Sequence, residues 1–383
     1  MEKDLEALRG QIDEIDNKLV ELFRERMEVC AQVAEYKKAH GLPVLAAGRE
    51  RALLGKVTAQ AGEELADYTQ SLYRTILSAS RSYQNAKLEG SSAIYDSIRK
   101  TLSETHQLFP QRPTVACQGI EGSDAQAACL RLFKTPTVLF FQTYDHVFQA
   151  VERGMCQYGI LPIEDSAAGS VKAVYDLMLR HNFSIVRSVR RRVDSCLLAP
   201  HGVQERDVRE IFASKGTVHQ CAAYLSGRKD AALTIVESAA AAARMAAQSG
   251  RTDTAALATR FCAEEYGLDI LQEKVQDQDS NYTRFICISK KPEIYPGADR
   301  TSLMLTLPHR PGSLYNVLAK FYALNIDLQK LESRPLPGRE FEFMFYFDLE
   351  APVYAPEMEK LFRDLEADCE ELRYLGTYQE VVC

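Results

Sequence analysis

GILPIEDSAAGSV, running from Gly159 to Val171, is the stretch on which the reading of this chain turns. The apolar pair Ile160 and Leu161 reads as a short buried strand that stops at Pro162. Two carboxylates and a hydroxyl, Glu164, Asp165 and Ser166, come before a small-residue turn. Val171, Val174, Tyr175, Leu177 and Met178 then recur at helical spacing. A strand that delivers polar groups to the start of a helix puts them where free backbone N–H groups and the helix dipole favour an anion. An Asp or Ser in that place also serves as a plain N-cap. The rest of the chain decides between the two.

With 383 residues, 46% of them hydrophobic, the chain can bury ample core and divides into two or three domains. A net charge of −7 argues against nucleic acid or an anionic membrane as the main partner. None of the 10 cysteines stands in C-x-x-C spacing, which points to reduced thiols in a cytoplasmic protein, with Cys383 a mere tail. The opening MEKDLEALRG is charged and helical rather than a signal peptide, and no apolar run approaches the roughly 20 residues of a membrane span.

Leu5, Leu8, Ile12, Ile15, Leu19 and Leu22 alternate in steps of three and four, and Val29 and Val33 continue the series. Such a seam needs a partner helix. Arg26 occupies the seam position between Leu22 and Val29, where a guanidinium is costly unless it meets an anion. HGLP (His40 to Pro43) ends the helix, a shorter helix starts near Arg49 and Glu50, and a third runs from about Leu65 to Leu88. The apolar stripe of the third turns polar at Ser80 and Gln84. A solvated coiled coil with one tolerated Arg is the plain alternative.

The order Leu8-Arg9, Arg26, Lys37, Arg49-Glu50, Ser80, Gln84 resembles the all-helical class of chorismate mutase. The resemblance implies an intertwined helical dimer in which Arg9 is donated to the partner's site. It assigns Arg9, Arg26 and Arg49 to the two carboxylates of chorismate, and Ser80 to helping hold one of them. Lys37 and Gln84 go to the ether oxygen, and Glu50 to the ring hydroxyl. The rearrangement to prephenate needs no nucleophile, only a folded substrate and stabilised charge on that oxygen. Ala46 stands where the family often has an Asp, which weakens orientation of the hydroxyl.

A mixed Gly, Ser and charged connector occupies residues 91–112, with an amphipathic piece around Ile98 and Leu102. Strands and helices then alternate over 113–292. VACQG, TVLFFQ, SCLLAP, TAALAT and TRFICIS read as strands, and ESAAAAARMAAQ as a strong helix; Val208 to Phe212 reads as a short helix. The sheet pattern restarts midway, so two lobes around a cleft are expected.

Three clusters fall at strand ends: Gly119 to Ser123, Pro162 to Ser166, and Thr283-Arg284-Phe285. In this order, behind a chorismate mutase, they resemble prephenate dehydratase, a two-lobed fold like the periplasmic binding proteins. The resemblance gives Thr283 the leading catalytic role, assisted by Glu164, Asp165 and Gln220, with Ser123, Ser166 and Arg284 holding prephenate. Asp165 stands where the family has Asn, Ala213 where it has Ser, and Ile120 replaces a Pro. These departures leave two rivals open: a mutase with a silent dehydratase half, and a non-catalytic binding protein.

Over 298–383 the order is strand, helix, two strands, helix, strand, a ferredoxin-like α+β arrangement. HRPGSLYNVL and LESRP resemble the phenylalanine-binding ACT domain, with Gly312, Ser313, Leu314, Asp327, Glu332 and Ser333 as the expected phenylalanine contacts. The whole chain then resembles the bifunctional chorismate mutase–prephenate dehydratases of phenylalanine biosynthesis. That family implies a homodimer or homotetramer, phenylalanine as inhibitor, and neither metal nor organic cofactor.

Overall fold

The computed structural model describes residues 5–88, 92–279, 281–339 and 342–382. The first residue of the expected connector, Ser91, and the tail residue Cys383 lie outside them. Helix α1 (Leu5–Ala39) ends at the HGLP turn, and α2 (Ala47–Lys87) follows. The latter is broken at Gly62, whose φ of 75° and ψ of 167° suit only glycine. The break divides it into the shorter and longer helices read from the sequence. Helix α3 (Ala93–Glu104) fills the connector and buries Ile98.

The α/β segment runs β1 (Thr114–Gln118), α4 (Asp124–Leu132), β2 (Thr137–Phe141), α5 (Tyr144–Glu152), β3 (Tyr158–Asp165), β4 (Gly169–Ser170) and α6 (Lys172–Met178). It continues through β5 (Ser184–Arg192), β6 (Ser195–Ala199), β7 (Glu210–Ser214), α7 (Lys215–Gln220), α8 (Ala222–Ser226) and β8 (Ala232–Val236). Then come α9 (Ala239–Gln248), β9 (Thr254–Thr259), α10 (Arg260–Tyr266), β10 (Asp269–Gln272) and β11 (Tyr282–Ser289). The last elements are β12 (Arg300–Thr306), α11 (Ser313–Ala323), β13 (Asp327–Pro335), β14 (Phe343–Glu350), α12 (Pro356–Asp368), β15 (Glu371–Tyr378) and β16 (Glu380–Val382).

Two sequence expectations are corrected. Val208 to Phe212 is a helix by spacing, but a single turn of 3-10 helix (Glu205–Asp207) comes before these residues and β7 starts at Glu210. Ile211, Phe212 and Ala213 are all buried because β7 lies between two parallel neighbours, and a strand covered on both faces carries no alternation. Strand β3 also does not stop at Pro162. It runs on to Asp165, and the register with β11 shifts beside the proline, where a lost N–H costs little.

Two compact units share the chain: Met1–Ser97, Leu307–Asn325 and Tyr354–Leu372 form one, and Ile98–Thr306, Ile326–Val353 and Arg373–Cys383 the other. In the first, Leu19 is 54% and Leu22 61% exposed, so the apolar seam of α1 is uncovered in a single chain. In the second, β16-β5-β11-β3-β1-β2 form one sheet with β4 beside β3, and β10-β6-β9-β7-β8 a second, giving two lobes. The third sheet, β13-β14-β12-β15, is the ferredoxin order. Met304, Met344, Tyr346, Leu375 and Tyr378 share a core with Leu161, Ile163, Tyr175 and Ile286 of the first lobe. At Gly376 a Cβ would lie 2.1 Å from the Ile185 carbonyl oxygen, so this close approach requires glycine. The chain leaves the first lobe after β5 and returns to it in β11, and these two strands pair side by side.

Candidate active sites

In the helical unit the Arg26 guanidinium donates to the Ser80 hydroxyl, which in turn donates to the Ile76 carbonyl at 2.6 Å. Lys37 donates to Gln84 Oε1 at 3.5 Å and to the Val44 carbonyl. Burial first, and then the Arg49 charge, lower the Lys37 pKa below the usual lysine value. Ser80 and Gln84 are buried although both are polar. The break from apolar to polar on the third helix is therefore where two cations of α1 meet two neutral hydrogen-bonding groups. Glu50 is engaged by Arg81, which donates to both carboxylate oxygens at 2.8 Å. Arg81 was not singled out by the sequence pattern. Arg9 is exposed and lies 17 residues before Arg26 on α1, ~25 Å along the axis at the helical rise. One chain does not bring it to the Arg26–Lys37 group.

The second site is a row across three strands. Asp165 of β3, Thr283 of β11 and Arg191 of β5 are direct register partners and therefore share one face of the sheet. Thr283 Oγ1 donates to Asp165 Oδ2 at 2.7 Å. Asp165 Oδ1 accepts from the N–H groups of Ala167 and Ala168 at 3.0 and 2.9 Å, closing the small-residue turn. It does not cap α6, whose N-cap is Val171. Arg191 pairs with Asp124, the first residue of α4, at 3.0 Å. Ser123 caps the same helix, accepting from the Gln126 N–H at 3.3 Å.

The opposite face carries the alternate residues, and two of the expected site residues lie there. Glu164 does not join Asp165; it pairs with Lys330 of β13 at 2.7 Å. Arg284 is not free for a ligand either. It is buried and pairs with Asp348 and Glu380, and Arg190, its register partner, also reaches Glu380. Period-two alternation explains both, since neighbours in a strand point to opposite faces. Ser166 turns back to β11, its hydroxyl accepting from the Tyr282 N–H at 2.8 Å. In the second lobe Ala213 is fully buried, and Ser214 caps α7 by accepting from the Thr217 N–H at 3.1 Å. Gln220 ends α7, where its carbonyl accepts from the Asp277 N–H at 2.7 Å.

Strand β13 carries the LESRP stretch and is tied to the first lobe at alternate residues. Lys330 meets Glu164, Glu332 accepts from the Ser170 hydroxyl at 2.7 Å, and Arg334 pairs with Asp176 through two hydrogen bonds. Asp327 accepts from Gln329 at 2.8 Å, and Ser333 is exposed. Gly312, at φ 87°, starts α11, and the Ser313 hydroxyl is buried with no hydrogen-bond partner among the described residues. Leu314 is half-buried. A cavity of about 520 Å³ in the helical unit is lined by Glu50 and Arg81 together with Arg310, Gly312 and Tyr315.

The family described as chorismate mutase type II matches residues 8–85, and the prephenate dehydratase family matches residues 115–293. Arogenate dehydratase/prephenate dehydratase 2 of Arabidopsis thaliana is 36% identical over 70% of this chain and 73% of its own length. The bifunctional chorismate mutase/prephenate dehydratase of Escherichia coli strain K12 is 28% identical over 98% of this chain and 96% of its own. Among solved structures, the prephenate dehydratase of Arthrobacter aurescens in complex with L-Phe superposes with a TM-score of 0.63 at 25% identity, over 70% of this chain and 89% of that one. With both matched segments in one chain, in the order of the Escherichia coli protein and over nearly its full length, this chain belongs to the family of bifunctional chorismate mutase–prephenate dehydratases.

Proposed function

We propose that the protein rearranges chorismate to prephenate on residues 1–90 and converts prephenate to phenylpyruvate on residues 113–292, with 91–112 as linker. The Asp165–Thr283–Arg191 row carries the second half of this reading, because it sets a hydroxyl donor between an acid and a cation on one face. In the first step Arg26 and Arg49 take the chorismate carboxylates, Glu50 the ring hydroxyl, and Lys37 with Gln84 the ether oxygen as charge builds there. In the second, the bond to the ring carboxylate breaks and releases CO2. Its electron pair enters the ring, and the ring hydroxyl departs as water once it receives a proton. Thr283 serves that leaving oxygen once its proton, which Asp165 accepts in the free protein, turns to the substrate, and Gln220 of the second lobe assists. Purified protein given chorismate alone should yield prephenate and then phenylpyruvate; chorismate consumption without phenylpyruvate would favour the mutase with a silent dehydratase half.

The uncovered α1 seam and the remote Arg9 support an obligate dimer of the helical unit. No helix among the described residues is long and apolar enough to cross a membrane, in keeping with action in the cytoplasm. Residues 298–383 act as the phenylalanine sensor. The unpartnered Ser313 hydroxyl and the three links from β13 to the first lobe support this, since Lys330 holds the residue next to Asp165. Phenylalanine at millimolar concentration should raise the melting temperature, because a ligand of the folded state stabilises it by mass action. An unchanged melting temperature, with intact protein, removes the sensor.

A further inference from the structure

We propose that Arg191 is the cation that receives a carboxylate of the dehydratase substrate, and that Asp124 holds it in place until the substrate arrives. This rests on the dehydratase reading above and deepens it. Three observations carry it. Arg191 is the register partner of Thr283 on the same face, so their Cβ atoms lie about 5 Å apart, within one substrate's length. Its side chain is only 16% exposed yet is paired with a single carboxylate, that of Asp124, which is 37% exposed. It is also the penultimate residue of β5, where the chain leaves the first lobe, beside the strand that returns.

A dianionic substrate approaching this face meets two fixed carboxylates, Asp165 and Asp124. Without a released cation the face would repel it. Arg191 is suited to the exchange, since a guanidinium fork grips a carboxylate through two parallel hydrogen bonds. Asp124 is suited to letting go. It sits in the first turn of α4, where the helix dipole stabilises a carboxylate that has lost its partner. The nearby Arg190 and Arg192 do not compete. They alternate onto the other face, Arg190 with Glu380 and Arg192 with Asp194.

The test is three substitutions in the full chain, each assayed for prephenate turnover and for prephenate binding by calorimetry. Arg191→Leu should raise KM and Kd at least tenfold while kcat falls much less, and Arg191→Lys should recover part of the loss. Asp124→Asn should change KM in the opposite direction, downwards, by releasing the guanidinium. If the pair is only a structural ion pair, Arg191→Leu and Asp124→Asn both weaken activity and lower the melting temperature together, and the proposal is overturned. If the parent binds prephenate but forms no phenylpyruvate, the catalytic reading fails while the calorimetric arm still decides for or against Arg191. Equal Kd values in parent and Arg191→Leu overturn the proposal in either case.

Discussion

Replacing Thr283 by alanine is expected to lower phenylpyruvate formation by about a hundredfold or more, the scale of a lost hydrogen-bond donor in an acid-assisted step. Chorismate consumption should be unaffected. The geometry adds a second, less obvious outcome at Asp165. A carboxylate only accepts, so the Thr283 proton points at Asp165 Oδ2 and away from any substrate. An Asn at this position would keep the carbonyl contacts to Ala167 and Ala168, and its NH2 would donate to Thr283. The threonine proton would then be free to serve the leaving hydroxyl. Asp165→Asn also removes a negative charge from a face that must take a dianion. A unit charge about 5 Å away at an effective dielectric near 20 is worth roughly 3 kcal/mol, of which Arg191 offsets part. The expected gain is about tenfold in kcat/KM, seen in both terms. A loss of rate in Asp165→Asn, with Thr283→Ala active, would make Asp165 the working acid and reverse the roles.

Arg26→Ala is expected to cut chorismate turnover by about a hundredfold to a thousandfold, with prephenate turnover intact. The guanidinium is held by Ser80 at the point where the α1 seam is otherwise apolar. Removing it takes away a carboxylate partner and leaves the buried Ser80 hydroxyl without its donor. Arg9→Ala should be similarly damaged although Arg9 lies far along the helix. In a symmetric dimer that exchanges Arg9, mixing the two inactive variants and re-forming dimers restores about a quarter of parental activity, because half the dimers are mixed and each carries one intact site. No recovery on mixing would place Arg9 outside the site.

Much of the fold was legible where pattern and burial agree. The α1 seam, the strand-to-helix alternation and the ferredoxin order at the C-terminus all follow from periodicity. Strand β5 was not anticipated, because SIVRSVRRR reads as a charged segment when its neighbours are unknown. Its last three arginines make sense only when Thr283 and Arg284 are set beside it, Arg191 on the face of Thr283 and Arg190 with Arg192 on the other. The same alternation separated Glu164 from Asp165, which are adjacent in sequence but 180° apart on the strand. The polar seam residues Arg26, Ser80 and Gln84 were found because each breaks an apolar stripe. Arg81 and Lys330 break none, so no periodic signal marked them. They matter through partners, Glu50 and Glu164, that lie far away in the chain.

The most direct measurement gives the purified full chain prephenate alone, with no added cofactor, and follows phenylpyruvate and CO2 against the Thr283→Ala variant. Phenylpyruvate and CO2 should appear in equal amounts with the parent protein and be nearly absent with the variant. Equal rates in the two proteins, or no product from the parent, would contradict a dehydratase built on the Asp165–Thr283–Arg191 row.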